Sequence, residues 1–384
     1  MKNKLKIIIV FLLIINMNLF TGCWDYREVD HLAIVSGIAV DKSTDGKNYL
    51  VSFEVIKIAS GGKDSKTTTE LIKSEGKTIF EAARNAIMST GKKLYFSHAK
   101  ALIISSEVAK EGTANAIDFF NRHVEIRRDI GVYISKENNA YDILEQKNPL
   151  SEILSLSLDE MQSSEVALAK SPTVVLWNFI SDLSPEGISA VLPTISINAQ
   201  SGKPAPQING TAIFKKDKLV GFLEGDETNT LLYIQKKAHK GIVVIIKDAE
   251  NSKVSMEIMN NNIEIKPKVT NGKVLMNISI KMEVAIGENG SSVVLEKENN
   301  RIMLEQNVTD QLRSNIVNLV KKVQNDYDSD IFGFGETIRK ELPNEWRKMS
   351  KDWDNLFKQV DVEVEAEVKI KNTGLSSKPI KVGD

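Results

Sequence analysis

Few residues in this chain have the type and spacing that chemistry needs. Cys23 is the single cysteine among 384 residues, so an intrachain disulfide is excluded and the thiol is left for nucleophilic, ligand or attachment chemistry. His31, His98, His123 and His239 show no H-x-x-x-H spacing, and with no C-x-x-C they do not spell a zinc site. The pattern S-x-x-K, which in cell-wall serine enzymes sets a lysine beside a serine nucleophile, occurs at Ser60–Lys63, Ser74–Lys77 and Ser97–Lys100. Its companions S-D-N and K-T-G are missing, and three occurrences in a Ser- and Lys-rich chain read as chance. Glu224, Asp226 and Glu227 lack the spacing of a calcium loop and read as solvated turn residues. The glycines of Phe332-Gly333-Phe334-Gly335 follow no strand and read as a turn between helices, not a phosphate cradle. Trp346 and Trp353 stand seven apart, on one face of a helix; their large apolar area points to core packing rather than a sugar platform. No catalytic set, metal or cofactor is expected.

The surroundings of Cys23 decide its use. Lys2, Lys4 and Lys6 precede an apolar run from Ile7 to Ile15, extended by Met17, Leu19 and Phe20. A basic start, a short apolar core and small residues before a cut make a secretory signal peptide. A permanent span needs about 20 apolar residues, and Asn16 and Asn18 interrupt this shorter run. Leu19-Phe20-Thr21-Gly22-Cys23 resembles the lipobox of bacterial lipoproteins, with Phe20 where leucine is usual. That resemblance implies cleavage between Gly22 and Cys23 and a diacylglyceryl group on the sulfur. Each buried CH₂ contributes about 0.8 kcal/mol, so two acyl chains hold firmly where one is marginal.

Removing residues 1–22 leaves 362 of the 384 residues, enough for two or three domains resting on apolar cores. The charge is nearly balanced, 50 Lys+Arg against 51 Asp+Glu, and no long basic stripe carries interleaved aromatics, so nucleic acid is not an expected partner.

The elements follow from periodicity. Leu32–Val40 and Tyr49–Ile58 predict paired strands around the turn-like DKSTDGKN, and the polar stretch 60–70 a loop. Helical spacing around Ile79–Leu94 and Ala109–Arg122 alternates with apolar runs at Ala101–Ile104 and Ile130–Ser135, and a helix starts near Ala140. This alternation predicts an α/β N-terminal domain over 23–197. Residues 151–183 read as two helices broken at Ser171-Pro172. The stretch 198–207, with two prolines and a glycine, reads as a linker. Beyond it, a hairpin turning at Lys215–Asp217 and strands at 241–247, 253–259 and 262–269 suggest a small β-rich middle domain over 208–265. A strand at 273–286, a long helix carrying Ile302, Val308, Leu312, Ile316, Leu319, Val320 and Val323, and a strand at Val360–Ile370 define an α+β C-terminal domain over 266–374, with an antiparallel sheet and long helices. Residues 375–384 read as a disordered tail.

Three stretches together resemble a known family, the spore germination lipoproteins that form the C subunits of Ger-type germinant receptors, the Ger(x)C family. The first follows the lipobox: Cys23, Trp24, Asp25, Arg27 and Glu28, then an apolar strand with Gly37 and Asp41. The others are GTAIFKKDKLVGFLEGDET (210–228) and DSDIFGFGETIRKELPNEWRKMSKDWDNLF (328–357). The resemblance covers the mature chain to about Gly374. It implies a non-enzymatic lipoprotein on the outer face of the cell membrane or spore inner membrane, anchored through diacylglyceryl Cys23. It also implies two integral-membrane partners, A-type and B-type receptor subunits, that respond to nutrients, and a three-domain ectodomain. Two alternatives remain: a solute-binding lipoprotein of a transporter, which needs two matched lobes, and an envelope hydrolase, which needs a catalytic constellation.

Overall fold

The computed structural model describes residues 31–57, 67–148, 151–165, 167–198, 202, 204–238, 240–247, 252–290 and 297–372, with positions 3, 4 and 6. The signal-peptide stretch from 7 to 22, Cys23, His239 and the tail 375–384 lie outside it.

The first half begins with β1 (Leu32–Lys42) and β2 (Tyr49–Lys57), which pair antiparallel as their sequence predicts. β3 (Thr68–Gly76) then adds to β2, where a polar loop was expected to run to residue 70. Its Thr, Glu and Lys residues mask a strand at the sheet edge, where charged side chains are the rule. Helix α1 (Ile79–Thr90) is closed at both ends: Thr78 accepts from Glu81 N–H, and Gly91 takes the left-handed conformation and donates to the Ile87 carbonyl. β4 (Lys93–Tyr95), β5 (Ala101–Ser105), β6 (Gly131–Ser135) and β7 (Val191–Asn198) continue the sheet in parallel. Helices α2 (Ser106–Glu111) and α3 (Ala114–Arg122) replace the single helix expected there, because Gly112 at φ 140° breaks it.

Successive residues of the inner strands face opposite layers. Ile38, Val40, Leu102 and Ile104 pack with α1, α2 and α3, and with α6 (Leu176–Asp182). Ala39, Ala101 and Ile103 pack against α4 (Tyr141–Leu144) and α5 (Leu154–Glu165). Both faces are covered, so these strands read as unbroken apolar runs, the mark of a parallel α/β core. Between α5 and α6 the chain turns at 167–168 and then runs without a helix to Val175, which bridges to Gly131. Pro172 therefore does not open a helix as expected: α6 starts four residues later.

The expected linker, 198–207, lies between two paired strands. Asn198 pairs with Ala205, making β7 and β8 (Ala205–Lys215) an antiparallel pair, and β9 (Lys218–Leu223) completes the sheet. Pro206 is tolerated because β8 has no β9 partner before Thr211. A proline- and glycine-rich stretch looks the same whether it joins domains or strands.

The expected middle domain is likewise divided. Residues 208–223 belong to the first sheet. Helix α7 (Gly225–Ile234) bridges the halves with buried Leu231, Leu232 and Ile234, and β11 (Ser252–Thr270) belongs to a second sheet. In that sheet β10 (Ile242–Lys247), β11 and β12 (Lys273–Asn289) are antiparallel, but β13 (Asp361–Asn372) joins β12 in parallel, correcting the all-antiparallel expectation. β12 and β13 are connected through helices, which permits a parallel pair. β12 buries Val274, Met276, Ile278, Ile280, Met282 and Val284 on one face, under the apolar stripe of α8 (Glu298–Asp326). Ile302 falls off that stripe and is exposed. Of the described helices only α8 is long; α9 (Phe334–Glu341), α10 (Pro343–Met349) and α11 (Trp353–Phe357) are short.

Candidate functional site

Cys23 and the following Trp24, Asp25, Arg27 and Glu28 lie outside the described residues. Gly37 and Asp41 lie on β1 and hold the fold together. Asp41 accepts from the Ala140 N–H at 2.6 Å and the Tyr141 N–H at 3.0 Å, tying β1 to the start of α4. Gly37 lies where Glu54 and Ser155 approach the strand. Glu54, a lone acid in the apolar β2, accepts from Leu154 N–H (2.8 Å), Ser155 N–H (3.1 Å) and the hydroxyls of Ser36 and Ser155. A carboxylate at the start of α5 satisfies otherwise unpaired N–H groups and meets the positive end of the helix.

The other chemistry-bearing side chains are also engaged. Ser97 donates to the Glu125 carbonyl while Lys100 pairs with Asp159, so this S-x-x-K pair does not act together. His123 stacks edge-on against Phe96 and Phe119, and burial pushes its pKa below the ordinary value. The acidic residues read as a solvated turn open α7: Glu227 accepts from the Glu224 N–H, and its other oxygen meets Lys322 of α8 at 2.6 Å. Among the described residues no cluster of His, Cys, Asp or Glu could hold a metal, and no helix is long and apolar enough to cross a membrane.

What the fold brings together is the pair of distant sequence stretches 210–228 and 328–357, at the junction of the halves. Lys215, at the end of β8, reaches Asp328 at 2.5 Å, and Lys358 reaches the same carboxylate at 3.1 Å. Those two ammonium groups hold the Asp328 carboxyl below its ordinary pKa despite the counter-pull of burial. Tyr327 donates to the Phe222 carbonyl at 2.9 Å, and its ring lies so close to Gly221 that a Cβ there would come within 2.1 Å of it. The Gln235 amide donates to the Ile331 carbonyl at 2.7 Å.

The loop 184–189 completes the junction. Gly187, at φ 89°, packs so closely on Gly335 and Trp346 that a Cβ would sit 2.7 Å from the Gly335 backbone. Its carbonyl accepts from Glu336 N–H, and Ser189 N–H donates to the Asp330 carbonyl at 2.8 Å.

Asp330 is the hub. Its carboxylate accepts from the N–H groups of Gly333 (3.0 Å), Phe334 (3.1 Å) and Gly335 (2.8 Å) and from the Trp353 indole (3.0 Å). Burial raises its pKa to about 6, against the downward pull of those four donors. Trp353 and Trp346 meet edge to face at 5.4 Å and are buried, as their spacing suggested, though on two short helices rather than one. Beside this hub lies a cleft of about 710 Å³ lined by Asp182, Glu186, Lys215, Asp328, Lys351 and Asp354. The sequence reading missed Glu54 and Asp330. The available signals were an acid inside an apolar strand, and an acid shortly before a Gly-Phe-Gly helix start.

Comparison with known proteins places these features. Residues 25–197 match the family model described as "Spore germination protein N-terminal domain", and residues 209–374 match "Spore germination B3/ GerAC like, C-terminal". The division between the two matches falls within the β7–β8 pair. The chain is 25% identical to "Spore germination protein KC" of Bacillus subtilis (strain 168) over 400 residues, 98% of each chain. It is 24% identical to "Spore germination protein B3" of the same organism, over 98% of this chain and 100% of that one. A solved structure described as "Crystal Structure of the GerBC protein" aligns with a TM-score of 0.57 at 22% identity, covering 88% of this chain and 97% of that one, a likeness of fold.

Proposed function

The chain belongs to the spore germination GerAC-like family, and from that premise we propose that it is a non-catalytic, lipid-anchored subunit of a spore germinant receptor. Cys23 carries the diacylglyceryl group. The folded part lies on the outer face of the cell membrane or spore inner membrane, where it assembles with integral-membrane A-type and B-type subunits. The observation that carries this reading is the match of both halves to germination-family models across nearly the whole chain. The geometry supports it: Glu54, Asp41 and Asp330 spend their oxygens on backbone N–H groups that hold elements together. A tether adds to this, because an anchored domain meets membrane partners at a high effective concentration, so weak contacts suffice.

The solute-binding alternative gains support from the junction cleft, but the two halves are differently built, a nine-stranded mixed sheet against a four-stranded one among the described residues. Calorimetry with amino acids and sugars separates the readings: the assembly role gives no saturable heat, and a clear isotherm moves solute binding into first place. The anchoring is tested by Cys23→Ala. The variant stays an unprocessed precursor or leaves the membrane, and germination through its receptor fails. A normal mature mass with full membrane retention would refute the anchor.

A further inference from the structure

The parallel strands of the first sheet all start from one end. Leu32 lies opposite Lys93, and Gly37, Ala101 and Gly131 stand side by side on successive strands. The chain reaches this end from Cys23 through residues 24–31. Eight residues span at most about 30 Å, so an acylated Cys23 keeps this end of the sheet close to the bilayer.

The surface there combines exposed apolar side chains with cations. Helix α1 runs down to it and leaves Met88 83% exposed just before Lys92 and Lys93. Lys93 pairs with Glu125 at 2.7 Å, which sets Val124, 97% exposed, in the adjoining loop. Further along that loop the Arg128 carbonyl accepts from the Trp177 N–H at 3.1 Å, and the Arg128 guanidinium lies 5.4 Å from the center of the half-exposed Trp177 ring. Three large apolar side chains thus project from one end, among six cations (Arg84, Lys92, Lys93, Lys100, Arg127 and Arg128) and three carboxylates (Glu125, Asp129 and Asp159), which pair with Lys93, Arg127 and Lys100 and leave Arg84, Lys92 and Arg128 in excess. The chain as a whole is balanced, 50 against 51, so the excess is local. An indole with one apolar and one wet side, aliphatic tips, and lysine and arginine stems that reach toward charge suit the headgroup zone of an anionic bilayer.

We propose that this end of the first half is a membrane-docking surface, with Met88, Val124 and Trp177 entering the interface of an anionic bilayer and the surrounding Lys and Arg meeting lipid phosphates. The inference rests on the lipid anchoring proposed above and goes beyond it: the acyl chains set the distance, and this surface sets the orientation, leaving the far ends of the strands toward solvent.

The test uses the full-length lipidated chain in vesicles of phosphatidylglycerol and phosphatidylcholine, with a spin label at Val124→Cys. The acylated Cys23 sulfur is not open to the label. A control carries the label at Met259→Cys, on β11 in the second half, where the side chain is 58% exposed. The label at 124 should collide more with oxygen dissolved in the bilayer than with a water-soluble nickel chelate, and the label at 259 should do the reverse. Vesicles of phosphatidylcholine alone, or Lys92→Glu with Arg128→Glu, should shift the label at 124 toward water. A label at 124 as wet as that at 259 on vesicle-bound protein overturns the proposal. So does shielding that arises only when the membrane subunits are added, which would make the occupant a protein. If the anchoring itself fails, the chain does not stay with the vesicles at all, which overturns both readings and is told apart by flotation.

Discussion

At Asp330 three backbone N–H groups and an indole N–H converge on one carboxylate. Removing the acceptor leaves buried donors without partners, each costing about 1–3 kcal/mol. Asp330→Ala is therefore expected to destabilise the chain by several kcal/mol, read as a large fall in melting temperature; a melt like wild type would show that the hub holds nothing. Its protonation is separately measurable. The folded pKa of about 6 stands above the ordinary 3.8, so the folded state takes up this proton first on acidification. The stability linked to it is present in full below about 4 and is lost as pH rises through 6. The carboxyl carbon shift of Asp330 should titrate near 6, and a midpoint at or below 4 contradicts the burial argument. The sequence carried only a weak signal for this, an acid shortly before Gly-Phe-Gly. An aspartate before a glycine turn is common, and only the fold shows that Trp353, 23 positions away, supplies the fourth donor.

Elements were legible where one physical signal dominated. The stripe of α8 and the alternation of β13 came through because a helix or strand with one buried face writes its period into the sequence. β11 was read as two strands because bulges near Ser255 and Ile258 shift its alternation. Its true length was signalled by Asn271-Gly272, both at positive φ, which closes the β11–β12 hairpin. The tryptophans show the same balance. Their burial was predicted and their single helix was not, because the chain steps from α10 to α11 through a 3₁₀ turn at Ser350–Asp352. Trp346→Ala and Trp353→Ala should each cost about 3–5 kcal/mol, with the second also removing a donor from Asp330. Chemical denaturation measures both, and a variant that keeps wild-type stability while losing germination would make that ring a contact surface instead.

Across the whole molecule, two of the three stretches that carried the family resemblance, 210–228 and 328–357, meet at the junction through Lys215, Gly221, Tyr327 and Asp328. Their meeting could not be read from the sequence, since the boundary expected at 265/266 put the two stretches in separate domains, whereas β11 (Ser252–Thr270) runs straight across it. Joined in this way, the two halves share one core, and the proposed tether would hold their joint surface beside membrane partners. The central claim is that this surface, anchored through Cys23, works in complex with integral-membrane subunits. The most direct test is gentle solubilisation of spore membranes, capture of the tagged full-length chain, and mass spectrometry of what comes with it. The account predicts a diacylglyceryl-modified Cys23 and stoichiometric recovery of two integral-membrane partners, both lost together in Cys23→Ala. Recovery of the lipidated chain alone, under conditions that keep other membrane complexes whole, would contradict it.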